Sequence, residues 1–238
     1  MKLIVAGSTG FVGTEIVRQA LSHPAITSVV GPARGPTPTP HNAGPGMDAR
    51  KLKSVVCENF LDYTDEVKQE LAGADACIWL ISVTITRARS VTQEKAREIC
   101  LEYTMTGLDT ISELSTSKPF RFIYTSGAKS ERDPTRAPWL MRDYLLLRGE
   151  VETRVLNYAK DSGGAVEACV VKPGLVDGET GRIVRGLQTV GCYMINMPRV
   201  EVSDLAAALL QQVVEGFDSD TLLNEDLVRI GQKALADY

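Results

Sequence analysis

The sequence predicts a doubly wound α/β domain, in which helices cover both faces of a parallel sheet. Three observations lead to this fold class. Strand-like apolar runs alternate with stretches of helical periodicity along the chain. Residues 76–81 are apolar throughout, as is typical of a central parallel strand that is buried on both faces. A glycine-rich turn joins the first apolar run to the first helical stretch within a dozen residues of the N-terminus.

The alternating pattern predicts six strands and six main helices. The strands are expected at residues 2–6, 28–30, 54–57, 76–81, 120–124 and 167–171. The helices are expected at residues 14–21, 65–71, 92–114, 140–161, 203–214 and 224–236, with Ser203 as an N-cap. Residues 31–46 contain five prolines, which exclude a full helix there and predict a loop with a single helical turn near residues 48–51.

Length and composition narrow the class of protein. The 238 residues suit one domain, with residues 177–238 as a small C-terminal lobe on the substrate side. The net charge of −4 and the pI of about 5.4 argue against nucleic acid as a partner. No apolar run suits a membrane span and no leader pattern is present, so we expect a cytoplasmic protein. The five cysteines lack metal-ligand spacing, which predicts reduced thiols and no metal site.

The glycines of the first turn suit a phosphate-binding loop. Gly7 permits the tight turn, Gly10 lets the backbone approach a pyrophosphate, and Gly13 lets the helix pack closely on the strand. Phosphates would then lie at the N-terminus of the helix, where free N–H groups and the helix dipole favour negative charge. The turn therefore predicts a dinucleotide site formed by Gly7, Thr9, Gly10, Phe11, Val12 and Gly13.

The spacing Gly-x-x-Gly-x-x-Gly resembles that of the extended and atypical short-chain dehydrogenase/reductases. That resemblance implies a Rossmann fold with a nucleotide-binding half and a smaller substrate-binding part. Two further segments carry it. Tyr144-Leu-Leu-Leu-Arg148-Gly-Glu-Val-Glu152 and Lys172-Pro173-Gly174 are similar to motifs of the atypical group that contains Tat-interacting-protein-like proteins and fungal relatives, in which arginine is usual in place of Lys172.

The choice of cofactor depends on Arg34, which follows the second strand. A carboxylate is typical there in NAD-binding proteins, whereas a guanidinium can bind the 2′-phosphate of NADP(H). NADP(H) is therefore favoured over NAD(H). The loop that contains Arg34 either borders the adenosine end of the cofactor or is a surface excursion without a role. The resemblance and the strand ends place the other cofactor contacts at Asn59, Phe60, Ser82, Thr84, Lys172, Pro173 and Gly174.

The resemblance also implies a set of catalytic residues. In short-chain dehydrogenases a serine follows the fifth strand, and a Tyr-x-x-x-Lys pair lies on the next helix. The serine orients the substrate oxygen, the tyrosine is the acid or base, and the lysine lowers the tyrosine pKa. Ser126 and Tyr144 match this pattern, but Arg148 stands in the place of the lysine. Arginine keeps the positive charge but cannot relay a proton.

Two functions fit these residues. The first is an NADP(H)-dependent oxidoreductase that reduces a small carbonyl compound or oxidises an alcohol, with Ser126, Tyr144 and Arg148 as catalytic residues. The second is an NADP(H)-binding regulator that turns over little substrate and contacts another protein. Either is compatible with a homodimer. Turnover of NADPH with a panel of carbonyl compounds distinguishes the two functions.

Overall fold

The architecture was examined in a computed structural model that describes residues 1–40, 46–178 and 197–237. Seven parallel strands form the main sheet in the order β3-β2-β1-β4-β5-β6-β9. Two short parallel strands, β7 and β8, form a separate small sheet. The strands are β1 Lys2–Ala6, β2 Ser28–Ala33, β3 Leu52–Val56, β4 Ala76–Trp79, β5 Phe120–Thr125, β6 Val166–Lys172, β7 Leu175–Asp177, β8 Arg199–Glu201 and β9 Thr221–Leu223.

Helices cover both faces of the main sheet. They are α1 Phe11–Ser22, α2 Asp65–Leu71, α3 Gln93–Arg97, α4 Tyr103–Leu114, α5 Arg142–Asp161, α6 Val202–Glu215 and α7 Asn224–Ala236. A π-helical turn, Glu98–Glu102, joins α3 to α4 without a break. One apolar core contains residues of α1, α6 and α7, and the other contains residues of α2, α4 and α5. This arrangement confirms the doubly wound parallel sheet.

The switch point of the sheet lies near the glycine-rich turn. The strand order runs in opposite directions from β1, because β2 lies on one side of it and β4 on the other. In open parallel sheets, ligands bind beyond the carboxyl ends of the strands at such a switch point. The turn that follows β1 and the segment that follows β4 meet this requirement.

Several element boundaries differ from the sequence expectation. β2 extends to Ala33, so Gly31 and Pro32 belong to the strand and not to the loop. The proline is tolerated because the β1–β2 ladder ends at the pair Ile4–Val30, ahead of Pro32. Ser203 is not an N-cap, because α6 begins at Val202 and its N-cap is Glu201. The predicted helical turn is confirmed at Ala49–Lys51.

The short strands β7, β8 and β9 were not predicted, because three residues are too few to show a periodic pattern. β9 completes the main sheet beside β6, and α6 and α7 pack on that sheet. The proposed substrate-side lobe of residues 177–238 stays a prediction, since residues 179–196 of it lie outside the described chain.

The described cysteines are buried and free, as expected of structural thiols: Cys57, Cys77, Cys100 and Cys169. Burial raises the pKa of Cys57 to about 11 and that of Cys169 to about 12. Both groups are therefore protonated at neutral pH and are poor nucleophiles. Cys192 lies outside the described residues.

Gly107 of α4 should be indispensable for the packing of the helix on the sheet. A Cβ atom at this position would lie 2.3 Å from Cη2 of Trp79, whose ring is fully buried. We expect Gly107→Ala to lower the free energy of unfolding by roughly 1–3 kcal/mol, as overpacked cores do, despite the better helix propensity of alanine. Gly35→Ala is the control, since none of the described residues lies within 4 Å of its Cβ position. Equal unfolding midpoints in urea for the two variants would contradict this expectation.

Candidate functional site

The glycine-rich turn has the geometry of a phosphate cradle. Gly7 adopts a φ of +90°, which L side chains rarely allow. A Cβ at Gly13 would lie 2.3 Å from the carbonyl oxygen of Gly7, so this position requires glycine for close packing. Gly10 is exposed and lies at the N-cap of α1. A Cβ there would meet only the Gly7 oxygen, at 3.3 Å, and would otherwise occupy the space that a ligand would fill.

The first turn of α1 offers unpaired donors to an anion. No side chain within residues 1–40, 46–178 and 197–237 caps the helix, so the N–H groups of its first residues keep their hydrogen-bonding capacity. Thr9 and Phe11 of the same turn are exposed, whereas Val12 packs against the core. The turn could therefore accept the pyrophosphate of a dinucleotide, and the binding roles of Gly7, Gly10 and Gly13 stay predictions.

Arg34 lies directly after β2 with its side chain exposed. The chain beyond it is anchored by Thr37, a buried residue that the sequence did not single out. The Thr37 hydroxyl lies 2.5 Å from the Ser8 hydroxyl and donates to the Gly31 carbonyl at 3.1 Å. The Thr37 N–H donates to the Ser54 hydroxyl at 2.8 Å. These bonds tie the segment after Arg34 to the glycine-rich turn.

The cofactor contacts expected after β3 and β4 have different environments. Asn59 is exposed and accepts a hydrogen bond from the Leu61 N–H at 3.0 Å. The Phe60 ring is only 2% exposed and packs edge-on against Trp79, so its side chain serves the core. Ser82 is half-buried after β4, and Thr84 is exposed with its hydroxyl 3.0 Å from that of Thr86.

Tyr144 and Arg148 lie on one face of α5, one turn apart. The Tyr144 hydroxyl donates to the Val83 carbonyl at 2.7 Å, just beyond β4. Burial raises the pKa of Tyr144 above its ordinary value, although the positive charge of Arg148 opposes the shift. A raised pKa keeps the phenol protonated at neutral pH, so the side chain suits a proton donor better than a base.

Arg148 is directed into the protein. Its guanidinium is buried, donates to the Thr125 carbonyl at 2.6 Å and lies 5.0 Å from the centroid of the Tyr124 ring. Burial acts to lower the pKa of Arg148, but Tyr124, Tyr144 and Cys100 hold it above the ordinary value. The guanidinium is therefore a permanent charge behind Tyr144 that also anchors α5 to the end of β5.

Ser126 belongs to a separate cluster around Glu152, a residue that is fully buried. The Ser126 hydroxyl donates to Oε1 of Glu152 at 2.5 Å. Oε2 of the same carboxylate accepts from Arg132 Nε at 2.8 Å and from Lys172 Nζ at 3.1 Å. Lys172 also donates to the Ser130 carbonyl at 2.7 Å. Two cations and one hydroxyl thus satisfy the buried carboxylate.

The segment Lys172-Pro173-Gly174 is used for packing at the end of β6. The Pro173 carbonyl accepts from the Ala128 N–H at 2.9 Å, and the Gly174 N–H donates to Oδ1 of Asn224 at 2.9 Å. A Cβ at Gly174 would lie 1.9 Å from the Pro198 carbonyl oxygen. The neighbouring chain therefore suffices to explain why glycine is required there.

The structure thus brings together Tyr144 and Arg148, and it joins Ser126 to Lys172 through Glu152. Sequence reasoning missed the central role of Glu152. One signal was available, because Glu152 follows Arg148 by four residues on a helix face that is otherwise buried. An acidic residue on a buried face needs cationic partners, and Lys172 at the end of a buried strand is a candidate.

Comparisons with known proteins agree with the fold. No family model matches the chain. Protein FMP52, mitochondrial, from Candida albicans is 25% identical over 179 residues, which cover 75% of this chain and 69% of that protein. This relative is named as a mitochondrial protein, and the cytoplasmic location of the present chain therefore stays a prediction. No helix among the described residues is long and apolar enough to cross a membrane.

Two solved structures show the same fold at low sequence identity. DesIV, a dTDP-glucose 4,6-dehydratase from Streptomyces venezuelae with NAD and TYD bound, superposes with a TM-score of 0.68 at 15% identity, covering 99% of this chain and 81% of that one. MoeE5 in complex with UDP-glucuronic acid and NAD gives a TM-score of 0.67 at 15% identity, covering 94% of this chain and 75% of that one. The present chain therefore has the Rossmann-type α/β fold that these two NAD-bound proteins share.

Replacing Glu152 should be strongly destabilising because it leaves two cations, Arg132 and Lys172, without the carboxylate that they share. We expect Glu152→Gln to lower the free energy of unfolding by about 3–5 kcal/mol, the range found when one member of a buried ion pair is removed. Glu150→Gln is the control on the same helix. Glu150 pairs with Arg97 at the surface, so its loss should cost roughly 0–1 kcal/mol. Denaturant unfolding measures the free energy of unfolding of both variants. Similar losses in the two variants would contradict the role of Glu152 as a buried partner of two cations.

Proposed function

We propose that the protein is an NADP(H)-dependent oxidoreductase that acts on a small carbonyl or alcohol substrate with Tyr144 as the proton donor or acceptor. The observation that carries the proposal is the turn after β1, where Gly7 has a positive φ and a Cβ at Gly13 would clash with the backbone. That geometry brings an uncapped helix N-terminus to the switch point of a parallel sheet. NAD is bound in DesIV and in MoeE5, which share this fold.

The preference for NADP(H) is supported by Arg34. Its guanidinium is exposed immediately after β2 and forms no ion pair within the described chain. The following segment is held to Ser8 through Thr37. Arg34 thus lies between two residues that bond the glycine-rich turn, Pro32 and Thr37, and its charge would be available to a 2′-phosphate through two parallel hydrogen bonds.

The chemistry is supported by the surroundings of Tyr144. When bound, the reduced nicotinamide would supply the hydride. Tyr144 would give its phenolic proton to the substrate oxygen, and its raised pKa keeps that proton in place at neutral pH. The buried charge of Arg148 lies on the same helix face and would stabilise the phenolate that is left. The Tyr144 hydroxyl would first have to exchange its bond to the Val83 carbonyl for the substrate.

A second function is favoured by the environment of Ser126. Its hydroxyl proton is committed to Glu152, and Arg148 is committed to the Thr125 carbonyl. All three catalytic candidates therefore have structural partners, since the Tyr144 hydroxyl donates to the Val83 carbonyl. This favours a protein that binds NADP(H) and signals its presence to a protein partner, with little turnover.

Arg34→Ala tests the cofactor preference. We expect NADPH to bind about tenfold to hundredfold more weakly, while NADH binds as in the parent, because only NADPH carries the 2′-phosphate. Gly10→Val is the contrasting variant, since a side chain at the expected position of the pyrophosphate should weaken the binding of both NADPH and NADH. Fluorescence titration of each reduced cofactor measures the binding. An equal loss of both cofactors in Arg34→Ala would show that Arg34 only shapes the loop.

Tyr144→Phe separates the two functions. If the protein is an oxidoreductase, we expect kcat to fall about 100- to 10,000-fold while NADPH still binds, because only the proton donor is removed. Tyr158→Phe is the control on the same helix, since that hydroxyl bonds Ser112 and Asp109 away from the site. Arg148→Lys should retain turnover if the charge behind Tyr144 is what matters. A parent protein that binds NADPH but reduces no carbonyl compound would support the regulator instead.

A further inference from the structure

A groove of about 780 Å³ lies between the segment before α3 and the start of α5. Its volume is within the range of small-molecule sites, and Tyr144 is one of its lining residues. We propose that this groove binds the substrate, and that the substrate combines a carbonyl or hydroxyl group with an anionic group and a flat apolar part. The inference rests on the proposed function, because it assigns the substrate class of the site that contains Tyr144.

Most charged side chains of the groove are already engaged. Arg97 donates two hydrogen bonds of 2.8 Å to the carboxylate of Glu150. Asp143 accepts from the side-chain amide of Gln93 at 2.9 Å. The carboxylate of Glu94 is bonded to its own N–H and to the hydroxyl of the preceding N-cap threonine, and these bonds lower its pKa. Arg97 and Glu150 therefore neutralise each other, whereas the bonds to Asp143 and Glu94 come from neutral donors, which hold these carboxylates in place without cancelling a charge.

Arg89 differs from these charged side chains of the groove because it has no partner among the described residues. It lines the groove, its side chain is exposed, and it has neither a hydrogen bond nor an ion pair within the described part of the chain. Apolar side chains, including Val91 and Leu146, line the same groove and lower the local dielectric. A guanidinium in such a concave site attracts an anion, and its planar fork suits a carboxylate or a phosphate.

Trp139 provides the apolar surface at the same groove. Its indole is 87% exposed, whereas the other tryptophan, Trp79, is fully buried. The loop that carries Trp139 is held by Arg142, which donates to the Ala137 carbonyl at 3.0 Å and to the Pro134 carbonyl at 2.6 Å. A large aromatic face held in place beside a groove suits stacking with a flat apolar group. Trp139, Arg89 and Tyr144 together define the three parts of the proposed substrate.

The two tryptophans make the proposal measurable without turnover or cofactor. The cofactor-free protein is titrated with 2-oxo-4-phenylbutanoate, which has a phenyl ring, a ketone and a carboxylate, while tryptophan fluorescence is recorded. The matched neutral probe is 4-phenylbutan-2-one, in which a methyl group replaces the carboxylate. We expect saturable quenching by the oxo acid and at least tenfold weaker binding of the neutral ketone. Trp139→Phe should abolish the signal, because Trp79 is buried away from the groove.

Arg89→Gln should weaken binding of the oxo acid at least tenfold and leave the binding of the neutral ketone unchanged. Arg87→Gln is the matched control, since Arg87 is equally exposed, lies two residues away and does not line the groove. The proposal is overturned if the two probes bind equally, if Arg89→Gln behaves like Arg87→Gln, or if fluorescence does not change. A signal that persists in Trp139→Phe would also overturn it.

A failure of the proposed substrate groove can be distinguished from a failure of the proposed oxidoreductase function. NADPH binding and turnover are measured on the same protein preparations. Binding of the oxo acid that depends on Arg89, without turnover of any carbonyl compound, would support the groove and contradict the oxidoreductase. Turnover that depends on Tyr144 but is indifferent to Arg89 and to the charge of the substrate would do the reverse. If sedimentation shows an increase in mass where probe binding is lost, the groove is occupied by a second copy of the chain. That result would overturn the proposal.

Discussion

The arrangement of residues at the carboxyl edge of the sheet depends on the hydrogen bonds and ion pairs of the fully buried Glu152 carboxylate. It joins α5 to the hydroxyl of Ser126 after β5 and to Lys172 at the end of β6, and it also holds Arg132 of the intervening loop. An ion cluster of this kind contributes less net stability than an apolar core, but each of its charged groups needs its partner in place. The position of α5 relative to the strand ends is therefore fixed, and with it the position of Tyr144.

This constraint divides the candidate catalytic residues between two tasks. Ser126 donates its proton to Glu152, so only its oxygen lone pairs remain for a ligand, and it would accept a hydrogen bond rather than donate one. Arg148 is held by the end of β5, where its charge stabilises without exchanging a proton. Only Tyr144 combines a transferable proton with a place in the wall of the groove. An enzyme built on this edge would rely on one acid group and on positioning for the rest of its rate enhancement.

The sequence contained most of the fold because its strongest signals are local. The apolar run of β4 and the periodicity of α1 were readable without tertiary information, and the glycine spacing located the turn between them. The extension of β2 through Pro32 and the three-residue strand β9 were not readable, since both depend on a neighbouring strand. Likewise, the residue type of Ser126 does not indicate its partner, and only the packing of α5 reveals that its hydroxyl donates to Glu152.

The same reasoning explains why the two sides of the carboxyl edge differ in predictability. The proposed nucleotide side is formed by backbone, and glycines are required wherever the backbone must bend sharply or approach itself, so the residue type itself reports the geometry. The proposed substrate side is formed by side chains from α5 and from the segments before it, which meet only in the folded protein. Arg89 and Trp139 have no motif between them, and nothing in their spacing along the chain relates one to the other. Their shared groove is a property of the fold, and for that reason the substrate class had to be inferred from the structure.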